Sequence, residues 1–550
     1  MDDLKTLLYQ VVASGLKQKS LTTCSRWSCA NRIMGQPYPG NFSFEHHPWL
    51  KEIHDCKNEL IVGEKSAQMG YTETALNKVF YKIGVERVDC LYVLPSKVPD
   101  ATDFSSSRFD VALELSSALN ELFSDVKNVG HKRAGTANLY VRGSKARGGL
   151  KSIPVGFIVF DEVDEMEQDN IPLALERSSG QRTKQALMIS TPTVDDFGID
   201  KYYKMSTQEH FFFTCPSCNR QTELIFPDCL VIPVEEITDP RIKDSHIICK
   251  ECKTKLHHEA KSEFLADGIW VPQYGDRDIR GFQINQLYSS TVTPKDLAIS
   301  YLKSLNSPAD EQEFFNSKLG KTHIVDGAKV TDVDISNCIG PHTIGPLKDM
   351  RLITMGIDVG RWLHVEVDEW ILDQHTFTSD TNAASIVRVI NQQKVEHFEQ
   401  LDEIFVKYGC VYAVIDAAPE RRKSFEFTQR LFGRASMCFY GVGVKGKALN
   451  ISPEGAAEPT VTVDRTSWLD LSMGRFRTKR IILPKDTKYE YKTHLKNLVR
   501  IYDKDEEDNP VGKWVKTGED HFAHARNYAE IALPLALTLG FASTIKKSVL

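Results

Sequence analysis

The feature that most constrains the fold is a pair of segments in which an apolar run ends in polar residues. The first, 63-GEKSAQMGYTET-74, follows the apolar run 59-ELIVG-63 and leads into a helical stretch, 73–84. The second, 155-VGFIVFDEVDE-165, ends abruptly in Asp161 and Glu162. A strand, loop and helix in this order aim backbone N–H groups at a phosphate, and buried parallel strands place carboxylates at their C-terminal tips. Together the two segments predict nucleotide hydrolysis in an α/β domain.

The first segment departs from the usual phosphate-binding pattern, G-x-x-x-x-G-K-[ST]. When it is aligned on Gly70 and Thr72, Tyr71 stands at the lysine position and Lys65 at the position of the first glycine. Because the lysine stem is long and flexible, Lys65 still reaches the β- and γ-phosphates from there. Taken alone, the segment also fits an ordinary loop before a helix, and its order and spacing relative to Asp161 favour the nucleotide site.

Thr72 of the loop and two further strand tips supply the remaining chemistry of this predicted site. Thr72 offers a hydroxyl to Mg²⁺, Asp161 contacts the hydrated Mg²⁺, and Glu162 polarises the attacking water. The strand 186-ALMIST-191 ends in Ser190 and Thr191, which either sense the γ-phosphate or only end a strand before a proline turn.

The composition excludes several classes of protein. At 550 residues, with 41% hydrophobic and 26% charged residues, the chain is typical of a globular protein of two to four domains. We expect neither secretion nor a membrane-spanning segment, since no apolar run approaches about 18 residues and no signal-peptide pattern begins the chain. The net charge of −6 excludes a polycation. Basic residues still cluster at 127–151 and 475–500, which suits either a phosphate backbone or a solvated helix face.

From about Glu45 onward, strand and helix candidates alternate, which predicts a parallel sheet covered by helices. The predicted strands are 59–63, 90–95, 137–143, 155–160 and 186–191. The predicted helices are 73–84, 108–124 and 170–179, followed later by 294–306 and 309–320.

Four of the twelve cysteines form two CxxC pairs, 215-CPSC-218 and 249-CKEC-252. Two such pairs close a tetrahedral Zn²⁺ site, here from Cys215, Cys218, Cys249 and Cys252, and the alternative is four unrelated free thiols. The site is predicted to be structural, because four thiolates leave no open position for chemistry. The pattern also indicates a reducing compartment.

A second α/β segment contains acids in a different arrangement. One strand ends in Asp358, another ends in Asp416, and Asp520 opens a late helix within 518–537. This order is that of an RNase H-like nuclease, in which carboxylates hold two divalent ions about 4 Å apart and cut a phosphodiester. The further candidate ligands are His521, Glu366 and Asp368. The motif 356-GIDVG-360 is also compatible with a sugar-kinase-like phosphate loop.

Over residues 45–535 the sequence resembles the large terminase subunit of tailed bacteriophages, of the lambda-type (GpA) class. The resemblance rests on six segments: 65-KSAQMGYT-72, 158-IVFDEVDEM-166, 189-ISTPTVDDFGIDKYY-203, 211-FFFTCPSCNRQTEL-224, 280-RGFQINQLYSS-290 and 356-GIDVG-360. A lysine placed early in the phosphate loop is itself typical of terminases.

The resemblance implies a DNA-packaging motor in which an ATPase pumps duplex DNA into a procapsid and a nuclease cuts the concatemer. The implied cofactors are ATP, Mg²⁺ (or Mn²⁺ in the nuclease site) and Zn²⁺. The implied partners are double-stranded DNA, a small terminase subunit and the portal protein, on which the chain forms a homo-oligomeric ring in the host cytoplasm.

The resemblance also implies roles for particular residues. The loop Lys65, Ser66, Ala67, Gln68, Met69, Gly70, Tyr71 and Thr72 binds phosphate and Mg²⁺. Asp161 binds Mg²⁺, Glu162 is the catalytic carboxylate, and Ser190 and Thr191 couple hydrolysis to motion. Trp49 falls where an aromatic ring stacks on adenine.

Two positions differ from the family or stay open. Related terminases carry a pattern near D-H-x-x-D-A-x-x-Y, and this chain reads 520-DHFAHARNY-528, with His524 in place of the second acid. The third nuclease ligand is therefore Asp520 alone, or Asp520 helped by Glu366 or Asp368. The candidate arginine fingers are Arg133, Arg142 and Arg147.

The predicted organisation is an N-terminal segment (1–45), a P-loop ATPase domain (46–345), an RNase H-like nuclease domain (346–540) and a tail (541–550). The ATPase domain includes a zinc ribbon at about 211–258 and a helical linker at about 291–345. The alternatives are a helicase or translocase with a non-catalytic C-terminal domain and a non-enzymatic DNA-binding scaffold.

Overall fold

The computed structural model describes residues 23–123, 126–151, 153–346, 352–372, 381–441, 443–453, 455–504 and 510–541. The chain divides into two compact units, residues 1–323 and 324–550. No helix within these described ranges is long and apolar enough to cross a membrane.

The first unit is built on a mixed sheet. Its strands are β1 (Ile33–Met34), β2 (Gly40–Asn41), β3 (Leu60–Lys65), β4 (Cys90–Leu94), β5 (Val126–Asn128), β6 (His131–Ala134), β7 (Ala137–Gly143), β8 (Phe157–Asp161), β9 (Gln185–Ser190), β10 (Glu209–Thr214), β11 (Gln221–Thr222), β12 (Leu230–Val231), β13 (His246–Ile248), β14 (Lys255–Leu256), β15 (Ile269–Pro272) and β16 (Arg280–Ile284). Its α-helices are α1 (Cys24–Asn31), α2 (Leu50–Asp55), α3 (Tyr71–Tyr81), α4 (Thr102–Phe104), α5 (Val111–Leu115), α6 (Ser117–Leu122), α7 (Ile171–Leu175), α8 (Gly198–Lys204), α9 (Lys261–Phe264), α10 (Pro294–Ser304) and α11 (Pro308–Glu313).

The main sheet has the order β11-β10-β16-β3-β9-β8-β4-β7-β6-β5, and β15 pairs with β10. The central strands β16, β3, β9, β8, β4 and β7 are parallel. Alternate residues of β8 pack into two different apolar clusters, with Val159 in one and Ile158 and Phe160 in the other. This burial on both faces explains the continuous apolar runs in the sequence. The prediction of a parallel sheet is confirmed.

The segment that contains the CxxC pairs adds the small antiparallel sheet β12-β13-β14 beside β10 and β11. Its apolar residues Leu230, Ile247 and Leu256 belong to the same cluster as the core of the main sheet. The segment is therefore anchored in the core of the first unit.

The second unit has its own mixed sheet. Its strands are β17 (Leu352–Val359), β18 (Leu363–Ile371), β19 (Ile386–Val395), β20 (Tyr412–Asp416), β21 (Ala435–Tyr440), β22 (Leu449–Ile451), β23 (Thr460–Val463), β24 (Ile481–Ile482), β25 (Leu498–Lys504) and β26 (Pro510–Lys516). Its α-helices are α12 (Asp332–Asn337), α13 (Thr381–Ala384), α14 (Glu399–Lys407), α15 (Arg421–Arg430), α16 (Arg465–Thr478), α17 (Tyr489–Lys496) and α18 (His521–Ala536).

The second sheet has the order β22-β23-β21-β20-β17-β18-β19-β24. The strands β17, β18 and β19 are antiparallel, and β20 and β21 run parallel to β17. One face packs against α16, α17 and α18, and the other packs against α14 and α15. The predicted strands at Asp358 and Asp416 and the predicted late helix are all present. Two mixed α/β units in this order agree with the predicted fold class.

The boundary between the two units differs from the predicted one. The break lies between residues 323 and 324, not at residue 345. Val330, Ile335 and Cys338 belong to the apolar core of the second unit, and Ile339 forms a β-bridge with Leu483. The last part of the predicted linker is therefore a piece of the second unit. Of the predicted C-terminal tail, residues 542–550 lie outside the described residues.

Candidate functional sites

The phosphate loop joins β3 to α3 and depends on one glycine. Gly70 precedes the helix with a φ of +82°, and a Cβ there would lie 2.6 Å from Leu50 Cδ1. The first N–H groups of α3 have no preceding turn to bond to, so they are free donors for an anion. The strand, loop and helix predicted from the sequence are thus present, with a glycine at the position that needs one.

Lys65 is the last residue of β3, and its side chain reaches the tips of two neighbouring strands. Its Nζ lies 2.9 Å from Glu162 Oε1 and 3.4 Å from Thr191 Oγ1. Glu162 follows β8 and Thr191 follows β9, which lies between β3 and β8 in the sheet. The strand order therefore brings these three predicted site residues together.

Asp161 is the last residue of β8 and is almost fully buried. Its Oδ2 accepts a hydrogen bond from the Tyr92 hydroxyl at 2.6 Å, and its Oδ1 has no hydrogen-bond partner among the described residues. Burial raises its pKa to about 6, and the nearby Glu162 carboxylate adds to the rise, while Lys65, Tyr92 and Thr72 oppose it. A buried carboxylate oxygen without a partner beside the Thr72 hydroxyl is a donor set that fits hydrated Mg²⁺.

Ser190 and Asp164 tie two of these tips together. Ser190 Oγ accepts a hydrogen bond from the Asp164 N–H at 3.1 Å, and Asp164 Oδ2 accepts from the N–H and the hydroxyl of Thr193. Asp164 Oδ1 accepts from the N–H of Ile199. The turn after Glu162 and the segment after Thr191 are therefore held as one piece.

The structure corrects the prediction for Trp49. This side chain is fully buried, and its indole N–H donates to the carbonyl oxygen of Met69 at 3.1 Å. Its ring packs in edge contacts against Phe211 and Tyr288. Because no face of the ring is free, Trp49 supports the phosphate loop and has no face on which adenine could stack.

Several loop residues face inward. The side chains of Ser66, Met69 and Tyr71 are buried, and the Tyr71 ring occupies the space beside Gly63, where a Cβ would lie 2.4 Å from Tyr71 Cε1. The N–H groups of Ser66 and Ala67 donate to the carbonyl oxygens of Ile284 and Ser317. The N–H groups of Ser66 and Ala67 therefore hold the shape of the loop, while Met69 and Tyr71 also line the cleft above it.

A cleft of about 710 Å³ opens above the loop, and residues 34–47 form its other wall. Tyr38 and His46 lie in this wall with their rings stacked, centroids 3.9 Å apart and planes at 15°. Arg108 also lines the cleft. The sequence did not predict this wall, since 36-QPYPGNFSF-44 contains aromatic residues but shows no helix or strand periodicity.

The predicted arginine fingers lie elsewhere. Arg133 Nε donates to the carbonyl oxygen of Gly135, and Arg142 donates to that of Val141 and lies over the Tyr140 ring. Arg147 begins a short 3₁₀ turn, and none of the three lines the cleft as described.

The four cysteines of the CxxC pairs lie together. Their sulfur atoms all lie within 4.8 Å of one another. Each pair forms the same turn, since the N–H of Asn219 donates to the carbonyl of Cys215 and that of Lys253 to the carbonyl of Cys249. A thiolate set of this kind fits tetrahedral Zn²⁺, as the spacing predicts.

In the second unit, two acids meet at adjacent strand tips. Ile357 of β17 pairs with Ile415 of β20, so Asp358 and Asp416 follow side by side. Burial raises the pKa of Asp416 to about 6, and the charge of Asp358 raises it further against an opposing hydrogen bond from the Ala418 N–H. Two carboxylates that repel each other in a buried place are a donor set for a divalent cation.

The start of α18 contributes three polar residues at the same edge. His521 Nδ1 lies 2.8 Å from Asp358 Oδ2, and Asp520 Oδ2 lies 3.2 Å from His524 Nε2. Burial alone would raise the pKa of Asp520, but His524 outweighs burial and lowers it. The His364 ring stacks on His521 with centroids 4.6 Å apart. His364 was missed, because it looked like one residue of an alternating strand.

Glu366 and Asp368 do not join this site. Both are fully buried beneath α18, where Arg526 pairs with both of them and with Glu530. Glu530 is also held by Arg475 at 2.7 Å. Because Arg526 pairs with both of them, Glu366 and Asp368 are corrected from candidate metal ligands to members of a buried ion-pair network.

Two family models match this chain in the same order as its two units. Residues 36–270 match "Phage terminase large subunit gpA, ATPase domain", and residues 279–521 match "Terminase large subunit gpA, endonuclease domain". The chain belongs to the phage terminase large subunit gpA family. It therefore combines an ATPase domain with an endonuclease domain, as expected of a DNA-packaging motor that also cuts concatemers.

Solved structures of large terminases are similar at low identity. The large terminase of bacteriophage HK97 is 11% identical, with 93% of this chain and 99% of that chain covered and a TM-score of 0.49. The ATPase domain of a Thermus phage large terminase is 14% identical, with 50% and 92% covered and a TM-score of 0.31. The large terminase nuclease of thermophilic phage G20c with bound magnesium is 14% identical, with 36% and 94% covered and a TM-score of 0.23. No curated protein matches the chain.

Proposed function

We propose that the first unit hydrolyses ATP with Lys65 and Thr72 on the phosphates and Mg²⁺, Asp161 on the hydrated Mg²⁺, and Glu162 as the carboxylate that orients the attacking water. The observation that supports this assignment is the convergence of Lys65, Glu162 and Thr191 at three neighbouring strand tips. Positioned charges of this kind supply most of the catalysis in phosphoryl transfer.

The proposed place of the nucleotide base is the wall of the cleft, not Trp49. The stacked pair of Tyr38 and His46 offers an aromatic surface beside the phosphate loop. The segments after Glu162 and Ser190 are held together through Asp164. These linked segments are the proposed relay from hydrolysis to DNA movement.

We propose that the second unit cuts duplex DNA with divalent metal ions held at Asp358 and Asp416, with Asp520 at the start of α18 as the third acid. A metal ion there would activate a water molecule and stabilise the leaving oxygen. Cys215, Cys218, Cys249 and Cys252 are the proposed ligands of a structural Zn²⁺.

The proposed partners follow from membership of the terminase family. They are double-stranded DNA, a small terminase subunit and the portal protein, with the chain acting as a homo-oligomeric ring that docks transiently on a procapsid in the host cytoplasm.

A separation-of-function experiment tests both sites. Glu162→Gln is expected to lower ATP turnover by about 10³-fold or more and to leave cleavage of supercoiled plasmid unchanged. Asp416→Ala is expected to abolish plasmid cleavage with Mg²⁺ or Mn²⁺ and to leave ATP turnover unchanged. The activity that each variant retains shows that the variant chain is folded. If both variants kept both activities, the residue assignments would be wrong.

A further inference from the structure

A group of two imidazoles and one carboxylate lies where the strands β17 and β18 of the second sheet meet the start of α18. Asp358 on β17 and His364 on β18 are directly paired in the strand register, so their side chains project from the same face. His521, in the first turn of α18, comes down on that face beside them. One potential ligand atom from each of Asp358, His364 and His521 lies within 4.8 Å of the other two.

His364 is the residue that points to a ligand. Its side chain is 2% exposed, and neither ring nitrogen has a hydrogen-bond partner among the described residues. A buried imidazole normally has at least one nitrogen hydrogen-bonded, because an unsatisfied buried polar group is destabilising.

The spacing of the other two groups already fits a metal ion. His521 Nδ1 and Asp358 Oδ2 are 2.8 Å apart. Adjacent ligand atoms around an octahedral ion with bonds of about 2.1 Å lie about 3 Å apart, so an ion can replace the proton between these atoms with little movement. Gly360 lets His521 approach, since a Cβ there would lie 3.3 Å from His521 Cε1.

The neighbouring His494 is not equivalent. Its Nδ1 accepts a hydrogen bond from the Phe522 N–H at 3.3 Å, so its lone pair is engaged and its Nε2 carries the proton that faces Glu519. His494 groups instead with Glu490 and Glu519, whose potential ligand atoms lie within 4.8 Å of one another, so only two of the three neighbouring histidines belong to the group at Asp358.

We propose that Asp358, His364 and His521 form a mixed imidazole–carboxylate site that takes a divalent transition-metal ion in preference to Mg²⁺. Imidazole nitrogen suits transition metals, whereas Mg²⁺ selects oxygen ligands and keeps much of its water. The site shares Asp358 with the proposed nuclease centre and rests on that proposal for its part in cleavage, but metal binding can be measured without DNA.

Pulsed electron paramagnetic resonance with Mn²⁺ tests the assignment on the full chain, loaded with Zn²⁺ and free of nucleotide. The wild type is expected to show coupling of Mn²⁺ to ¹⁴N, which the oxygen-only Mg²⁺ site proposed in the ATPase unit does not give. His364→Gln is expected to lose part of that coupling and to weaken Mn²⁺ binding by at least about tenfold, because even indirect partners of a metal ligand are worth about 10–100-fold.

His494→Gln is the matched control, since it removes a neighbouring imidazole that is not a ligand of the proposed site. It is expected to keep both the ¹⁴N coupling and the affinity for Mn²⁺. Mn²⁺ bound by oxygen alone in a wild type that still cuts plasmid would overturn the mixed site and leave the nuclease proposal standing. A folded wild type that neither binds Mn²⁺ at Asp358 nor cuts plasmid would overturn both.

Discussion

At the scale of single residues, Asp164 fixes the geometry around the proposed catalytic carboxylate. Its two oxygens accept from Thr193 and Ile199 on opposite sides, and Gly198 leaves the room for it, since a Cβ there would lie 2.3 Å from Asp164 Cγ. We expect Asp164→Asn to destabilise the first unit by about 1–3 kcal/mol, because an amide has one acceptor oxygen and its NH₂ group would face donors. The measurement is the free energy of unfolding in urea. The exposed Asp267→Asn is the control, and equal stability of the two variants would contradict this role.

Lys261 gives the first unit a pH-dependent weakness. It is nearly fully buried, its Nζ donates to the carbonyl oxygen of Ser289, and burial lowers its pKa to about 7. Between that value and its ordinary pKa near 10.5, the unfolded chain binds the proton more tightly than the folded chain. Stability therefore rises with pH across this window, and the cost of burying the charge is greatest below pH 7.

We accordingly expect Lys261→Met to stabilise the first unit most below about pH 7, with the benefit fading toward about pH 10. Thermal unfolding of wild type and variant at several pH values measures it. The exposed Lys253→Met, in the same region, should show no such trend. A benefit of constant size across this range would contradict the buried-charge explanation.

The sequence was sufficient to place residues that lie at the ends of buried strands. The positions of Asp161, Glu162 and Asp358 at strand ends agree with the prediction, because a buried parallel strand is a continuous apolar run that ends where the polar residue begins. Trp49, Glu366 and Asp368 were misassigned because their partners are remote. Arg526, which pairs with both acids, is about 160 residues away in the chain, and nothing local in 363-LHVEVDEW-370 reveals it.

At the scale of elements, the close packing of α18 on β17 holds the proposed nuclease centre together. Gly356 makes this contact possible, since a Cβ there would lie 2.0 Å from Ala525 O and 2.2 Å from Ala529 N. We expect Gly356→Ala to push α18 away, to cost at least about 1–3 kcal/mol, and to reduce plasmid cleavage more than ATP turnover. Unfolding in urea and the two activity assays measure this.

Gly474 in α16 is the matched control for this prediction. Nothing lies within 4 Å of a Cβ there, and the residue is helical. Gly474→Ala should therefore be neutral or stabilise the second unit by about 0.5–1 kcal/mol. If both alanine variants were equally stable, α18 would not depend on contact through Gly356.

At the scale of the whole molecule, the start of the second unit has a practical consequence. Val330, Ile335 and Cys338 fill its core, and the N–H of Leu483 donates to the carbonyl of Cys338 at 2.7 Å. A fragment of residues 324–550 should fold cooperatively, whereas one of residues 346–550 should lose several kcal/mol, since removing one large core side chain already costs about 2–5 kcal/mol. Thermal unfolding of the two fragments compares them, and equal midpoints would restore the boundary at residue 345.

The contact between Lys65 and Glu162 also has a consequence for the proposed ATPase site before nucleotide binds. An ammonium group paired with the proposed catalytic carboxylate weakens it as a base, so in the proposed mechanism the nucleotide-free site would activate water poorly. Arriving phosphates would compete for the same ammonium group, and Glu162 would be free to orient water once Lys65 had turned to the phosphates. In the proposed motor, ATP binding would therefore activate the site that hydrolyses it.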